Sequence, residues 1–150
     1  MTLTSTCLVL GYDRTDSARQ AAVWAANELP ADGRLVIVHS SRALHAPASP
    51  LSTPQERHRL GRALIDELVL EGEDAMFDVD VVAEISEDDP VTALTDAARR
   101  HGAHAIVIGS ERHSRLRKAL GTVTTELLEQ SPVPVIAVPS DETPGERDDA

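Results

Sequence analysis

The chain has little that could tie it covalently, to a membrane or to nucleic acid. Cys7 is the single cysteine among 150 residues. No internal disulfide can form, so a reducing compartment is the natural setting, and an apolar run around Cys7 marks it as a small buried hydrophobe. No apolar run approaches the ~18 residues of a membrane span, and the N-terminal Met-Thr-Leu-Thr-Ser-Thr lacks the basic segment that opens a signal peptide. Basic residues are scarce, 14 against 25 acidic ones for a formal net charge of −11. Such a field repels nucleic acid and anionic lipid alike. A cytoplasmic protein without nucleic-acid or membrane partners is the expectation.

Signatures of catalysis are also missing. There is no Ser-His-Asp order and no Gly-x-Ser-x-Gly elbow. A Walker lysine is absent, because Lys118 precedes Gly121 instead of standing between a glycine and Ser/Thr. His101 and His104 straddle Gly102 at a helix end with no cysteine or acidic pair at ligand spacing, so no metal is expected.

What the chain does have is regular alternation. Short Val/Ile-rich runs fall at Thr6–Gly11, Leu35–His39, Asp78–Ala83, Ala105–Gly109 and Val133–Val138. Most are continuous and not alternating, as in parallel strands buried on both faces. Helical patterns lie between them. Ser17 with Gln20 has capping-box spacing before a face of Ala18, Ala21, Ala22, Ala25 and Leu29 that stops at Pro30. Thr53-Pro54-Gln55-Glu56 supplies a cap, a first-turn proline and a glutamate at the third position, ahead of a Leu60, Leu64, Leu68 stripe. Asp89-Pro90 opens a third helix, ended by Gly102 in the left-handed position. Thr122 caps a fourth, which stops before Pro132. Alternation with crossover helices implies an α/β fold: an open five-stranded parallel sheet with helices on both faces. Ser40–Ser52, rich in Ala, Pro and Ser, reads as a connection over one edge. The acidic stretch 140–150 reads as a disordered tail after a domain spanning 1–139.

One stretch carries chemistry. The strand ending in Gly109-Ser110 is followed by Arg112, Arg115, Arg117 and Lys118 within seven residues, and then by Gly121-Thr122 at a helix start. Glycine-flanked N–H groups and a helix N-terminus form an anion cradle, typically for phosphate. The plainer alternatives are a solvated basic face, an exposed polar His113 and a glycine needed only for tight geometry. In parallel sheets the ligand sits beyond the carboxyl ends of the strands, where strand order reverses. If the first and fourth strands flank that point, Asp13 faces the cradle across a crevice.

As an ordered set, Val9-Leu-Gly-Tyr-Asp13 with Ser17, Leu35-Val-Ile-Val-His39, Asp89-Pro90, Ile106-Val-Ile-Gly-Ser110, Gly121-Thr-Val-Thr and Ser131-Pro-Val-Pro-Val-Ile-Ala-Val138 resemble the universal stress protein family. The resemblance implies strand order 3-2-1-4-5 and homodimers paired through the last strand, here Val133–Val138. In one subclass it implies ATP binding through Gly-x2-Gly-x9-Gly-Ser/Thr, with Mg only alongside the nucleotide. Carried onto this chain, the binding residues are Asp13, Val38, Gly109, Ser110, Arg112, Gly121, Thr122 and Val123. Asp13 would meet the adenosine part, with the Val38 backbone near the adenine. The chain departs from the motif at Arg112, which replaces the second glycine, and in the eight residues, not nine, that separate it from Gly121. Three functions stay open: a regulator binding ATP or another adenine nucleotide, a nucleotide-independent dimeric interaction protein, and a weak ATPase with Asp13 as its one candidate base. An apolar, proline-flanked edge strand gives the dimer a physical basis of its own, since such an edge calls for a covering partner.

Overall fold

A computed structural model describes residues 6–41, 53–71, 79–110 and 122–140. Among these residues five strands, β1 (Cys7–Gly11), β2 (Arg34–Ser40), β3 (Asp80–Ser86), β4 (Ala105–Ser110) and β5 (Val135–Pro139), alternate with four helices: α1 (Asp16–Glu28), α2 (Pro54–Glu71), α3 (Pro90–His101) and α4 (Thr122–Gln130). All strand pairs are parallel, in the order β3-β2-β1-β4-β5. The order reverses at β1, whose two neighbours are β2 and β4.

Why these runs are strands follows from what covers them. Leu8, Leu10, Leu35, Ile37 and Val107 face α1 and α2, meeting Ala21, Ala25, Ile65 and Leu68. Cys7, Val9, Val36, Val38, Ile106 and Ile108 face the other way, against Val91, Leu94 and Ala97 of α3 and Leu127 of α4. With both faces buried, every position is apolar and the alternation of a one-sided sheet disappears. Each fully buried Leu, Ile or Val contributes about 1.5–3 kcal/mol relative to exposure. Alanines on α1 keep that helix close to the sheet.

Local signals set most helix boundaries. Glu56 N–H donates to Thr53 Oγ1 at 3.1 Å and Thr53 N–H to Glu56 Oε2 at 3.0 Å, a reciprocal capping box. Asp89 accepts from Thr92 N–H at 3.1 Å, and Gly102 ends α3 at φ 60°.

Four expectations need correction. The cap of α1 is Thr15, whose hydroxyl accepts the Ala18 N–H, and Ser17 is a buried first-turn residue. On α2 the buried positions are Gly61, Ile65 and Leu68, while Leu60 is 61% exposed. Gly61 faces the sheet because a β-carbon there would come within 2.9 Å of His39 and 3.0 Å of Ile85. Thr122 is the first residue of α4 and not the one before it. The last strand begins at Val135 instead of Val133. Pro132 and Pro134 offer no N–H to a ladder, and Ser131 holds Val133 in a turn, donating to its carbonyl at 2.6 Å and accepting its N–H at 3.1 Å. Ser140 donates its N–H to the Ser110 carbonyl at 3.2 Å, and the remainder of the expected tail, 141–150, lies outside the described residues.

Candidate functional site

At the reversal point the chain leaves β1 for α1 on one face of the sheet and leaves β4 for α4 on the other. The carboxyl ends of β1, β2 and β4, the starts of α1 and α3 and the first turn of α4 enclose a crevice of about 130 Å³. Its floor is apolar, with Val38, Ile108, Ala93 and Leu94. Its polar groups come from Asp13, Thr15, Ser40 and Thr124. An apolar floor with few placed polar groups is the usual make-up of a small-molecule site.

The β1 exit is built from hydrogen bonds. Tyr12 N–H donates to Val38 O at 2.9 Å, which closes the β1–β2 ladder at the backbone placed above near the adenine. Beyond it, Asp13 Oδ1 accepts both the Thr15 N–H at 3.1 Å and the Thr15 hydroxyl at 2.6 Å. The same hydroxyl oxygen accepts the Ala18 N–H at 3.2 Å. Its one hydrogen is spent on the carboxylate, so in its 3.2 Å contact with Ser17 Oγ it accepts and Ser17 donates. Arg14, inside this turn, has φ 76° and is the only non-glycine residue with positive φ among the described residues. Asp13 itself stays exposed, one carboxylate oxygen bound into the turn.

The β4 exit is built from contact. A β-carbon on Gly109 would lie 2.4 Å from the Ser17 carbonyl carbon and 2.5 Å from the Ala18 nitrogen. Backbone against backbone leaves nothing flexible to yield, so the first turn of α1 requires glycine here whatever the crevice holds. On the α3 side, Ser40 donates its hydroxyl to the Asp88 carbonyl at 2.6 Å, joining the end of β2 to the turn before that helix. Asp89, which starts α3, is held below the usual carboxylate range, first by the Thr92 hydroxyl and then by the Thr92 N–H.

Of the residues assigned from sequence, Asp13, Val38, Gly109 and Val123 line the crevice together. Ser110 and Thr122 border it without lining it, and Arg112 and Gly121 lie outside the described residues. Thr15 and Ser40 were missed. The Asp-x-Thr spacing carried a signal for the first, since Asp at the start of a turn recruits a hydroxyl two residues on. The only signal for Ser40 was its place just past an apolar run. No described group of three or more His, Cys, Asp or Glu could hold a metal ion. His101 and His104 turn to different partners, Glu84 and the Cys7 N–H. No described helix is long and apolar enough to cross a membrane.

A sequence model of the universal stress protein family matches residues 7–139, which includes every described strand and helix. The chain belongs to that family. Among solved structures it is similar to a universal stress protein crystallised in complex with cAMP, at TM-score 0.66 and 21% identity over 93% of this chain and 100% of the other. A universal stress protein family member from Burkholderia pseudomallei matches at TM-score 0.63 and 24% identity, over 93% and 99%. The universal stress protein from Archaeoglobus fulgidus in complex with dAMP matches at TM-score 0.62 and 20% identity, over 91% and 99%. No curated protein matches the sequence significantly. At these identities the solved structures share the fold of the universal stress proteins with this chain.

Proposed function

We propose that this universal stress protein is a cytoplasmic regulator that binds an adenine nucleotide, ATP or a relative of it, in the crevice between the ends of β1 and β4. The observation that carries the reading is the convergence of Asp13, Val38, Gly109 and Val123 on one apolar-floored crevice at the strand-order reversal. Two structural neighbours in complex with cAMP and dAMP support the ligand class. Asp13 keeps one carboxylate oxygen for the ribose, since the other is held by Thr15. The phosphates would lie toward Gly109, Ser110 and the start of α4 at Thr122 and Val123, where helix N–H groups favour an anion. Arg112 and Gly121 would complete that end, and Mg would enter only with a nucleotide.

Arg112 and the shortened span before Gly121 favour a second reading, a nucleotide-independent dimer. β5 is an edge of the sheet, and its apolar Val135, Ile136 and Val138 run between Pro134 and Pro139. A second copy paired along that edge would cover it.

Mass spectrometry of material released by denaturing freshly purified protein should identify a bound adenine nucleotide, and calorimetry should give saturable heat with AMP or ATP. Asp13→Ala should weaken binding by about ten- to a hundredfold, the effect of one hydrogen bond to a charged group. Absence of heat with both nucleotides at millimolar concentration, with and without Mg, sinks the nucleotide reading. A dimer in sedimentation under those conditions would then favour the second.

A further inference from the structure

His39 does not line the crevice, yet it touches the loop that does. It follows Val38 on β2, half-buried, with its side chain on the α2 face of the sheet against Gly61 and beside Ile85. Its Nδ1 lies 3.0 Å from the Tyr12 carbonyl oxygen. A carbonyl only accepts, so Nδ1 carries the hydrogen and donates it.

That bond fixes more than one oxygen. Tyr12 is already held by its buried ring and by its N–H on Val38, so His39 completes the immobilisation of this residue. A trans peptide is planar, and its carbonyl and following N–H point in opposite directions. With the Tyr12 carbonyl turned to His39 on the α2 face, the Asp13 N–H is turned toward the α3 face, where Val38, Ala93 and Leu94 line the crevice. No described residue accepts a hydrogen bond from that N–H. Thr15, two residues after Asp13, closes the Asp13 turn, and between them Arg14 keeps its positive φ. A strained residue of this kind persists only where its flanks are fixed.

We infer that His39 is a positioning residue of the crevice: through the Tyr12 carbonyl it sets the Tyr12–Asp13 peptide, so that the Asp13 N–H is presented to the ligand as a donor. The nucleotide part of this inference rests on the function proposed above. The orientation of the peptide does not. Gly61 is the element behind the ring, since a β-carbon there would come within 2.9 Å of His39 Cδ2. α2 thereby reaches the crevice through one imidazole.

The test uses His39→Leu, His39→Asn and Gly61→Ala. Asparagine places an amide N–H near the Nδ1 position and can restore the bond, whereas leucine cannot. In nucleotide-free wild type, 15N spectra should show His39 as the Nδ1–H tautomer. His39→Leu should shift the Asp13 and Thr15 amide resonances and speed Thr15 amide exchange about tenfold beyond any change at core β1 amides, the effect of a lost hydrogen bond. AMP affinity should fall by about the same factor, and His39→Asn should recover most of both losses. Gly61→Ala, a favourable change for helix propensity, should perturb the same loop resonances from a distance. An Nε2–H tautomer overturns the inference, as does an asparagine variant no better than leucine, or loop changes that only track global stability. If wild type takes up neither AMP nor ATP, the nucleotide reading falls and the spectra of the free protein alone decide the role of His39.

Discussion

The two strands that flank the reversal point each carry a glycine near the carboxyl end, Gly11 as the last residue of β1 and Gly109 as the last but one of β4, and the two glycines answer different needs. At Gly11 an added β-carbon would meet the Leu94 methyls at 3.2 and 3.3 Å, side-chain ends that can shift. At Gly109 it would meet the α1 backbone at 2.4 to 2.6 Å. The β1 exit takes its shape from hydrogen bonds among Tyr12, Asp13, Thr15 and His39, and the β4 exit from steric closeness. A glycine at the mouth of a ligand crevice is therefore no sign of ligand contact by itself. Gly109 would be needed in an empty protein.

The sharpest way to break this comparison is alanine at both positions. Gly109→Ala should cost about 2–3 kcal/mol, the range for forcing extra volume into a rigid contact, and should displace the start of α1. Gly11→Ala should cost about 1 kcal/mol or less, because Leu94 can give way, and should act mainly by narrowing the crevice. Urea denaturation of both variants measures the difference. Equal costs would mean that both exits are governed by the same kind of contact.

A cluster on the edge strand sharpens the comparison, because there charge replaces both geometry and contact. Glu84 of β3 accepts two hydrogen bonds from Arg100, at 2.7 and 3.0 Å, and one from His101. The Arg100 guanidinium holds the Glu84 carboxyl below its ordinary value of 4.5. With the folded value below the unfolded one, the stabilisation is complete above the unfolded value and is lost as pH falls through the folded one. Glu84→Gln should cost about 1 kcal/mol at neutral pH, the upper range for a pair whose arginine is open to solvent. Wild type and variant should converge as pH is lowered from neutral through the folded carboxyl value. A constant difference across that range would remove charge as the cause. Neither glycine variant should show such a pH dependence.

How much of this was legible in the sequence follows the range of the forces involved. Asp89-Pro90, Thr53 with Glu56, and Gly102 set helix ends through bonds within four residues, and the chain alone reveals them. Buried-strand runs were equally plain, and with them the sheet. Alternatives defeated the local signal elsewhere. Ser17 and Gln20 have capping spacing, but Thr15 bonds Asp13 and Ala18 at once and takes the cap. Leu60 shares a helical stripe with Leu64 and Leu68, yet Gly61 lies against the sheet because His39 and Ile85, distant in sequence, leave room only for hydrogen. At the crevice, Asp13 and Gly109 stand at strand ends and could be found by topology. Ser40 owes its place to the β2–α3 contact through the Asp88 carbonyl, which no local pattern encodes.

The smallest expected effect concerns what the hydrogen-bonded exit spends on its shape. Arg14 sits at φ 76°, where an L-residue with a β-carbon is crowded by its own backbone. The neighbours on both sides are held, Asp13 and Thr15 by the bonds between them, and Tyr12 before them by Val38 and His39, so the strain cannot relax without releasing one of these bonds. Glycine would remove the crowding at a gain of about 1–2 kcal/mol, while its freer unfolded chain takes back about 0.5–1 kcal/mol. Arg14→Gly should therefore raise stability by about 0.5–1 kcal/mol, read from the denaturation midpoint at unchanged slope. The sign matters more than the size. Strain held by the surrounding bonds makes glycine stabilising, whereas a loop free to relax would give arginine a negative φ in solution and leave only the entropic loss, so a destabilised variant would mean that the β1 exit is not fixed by its hydrogen bonds.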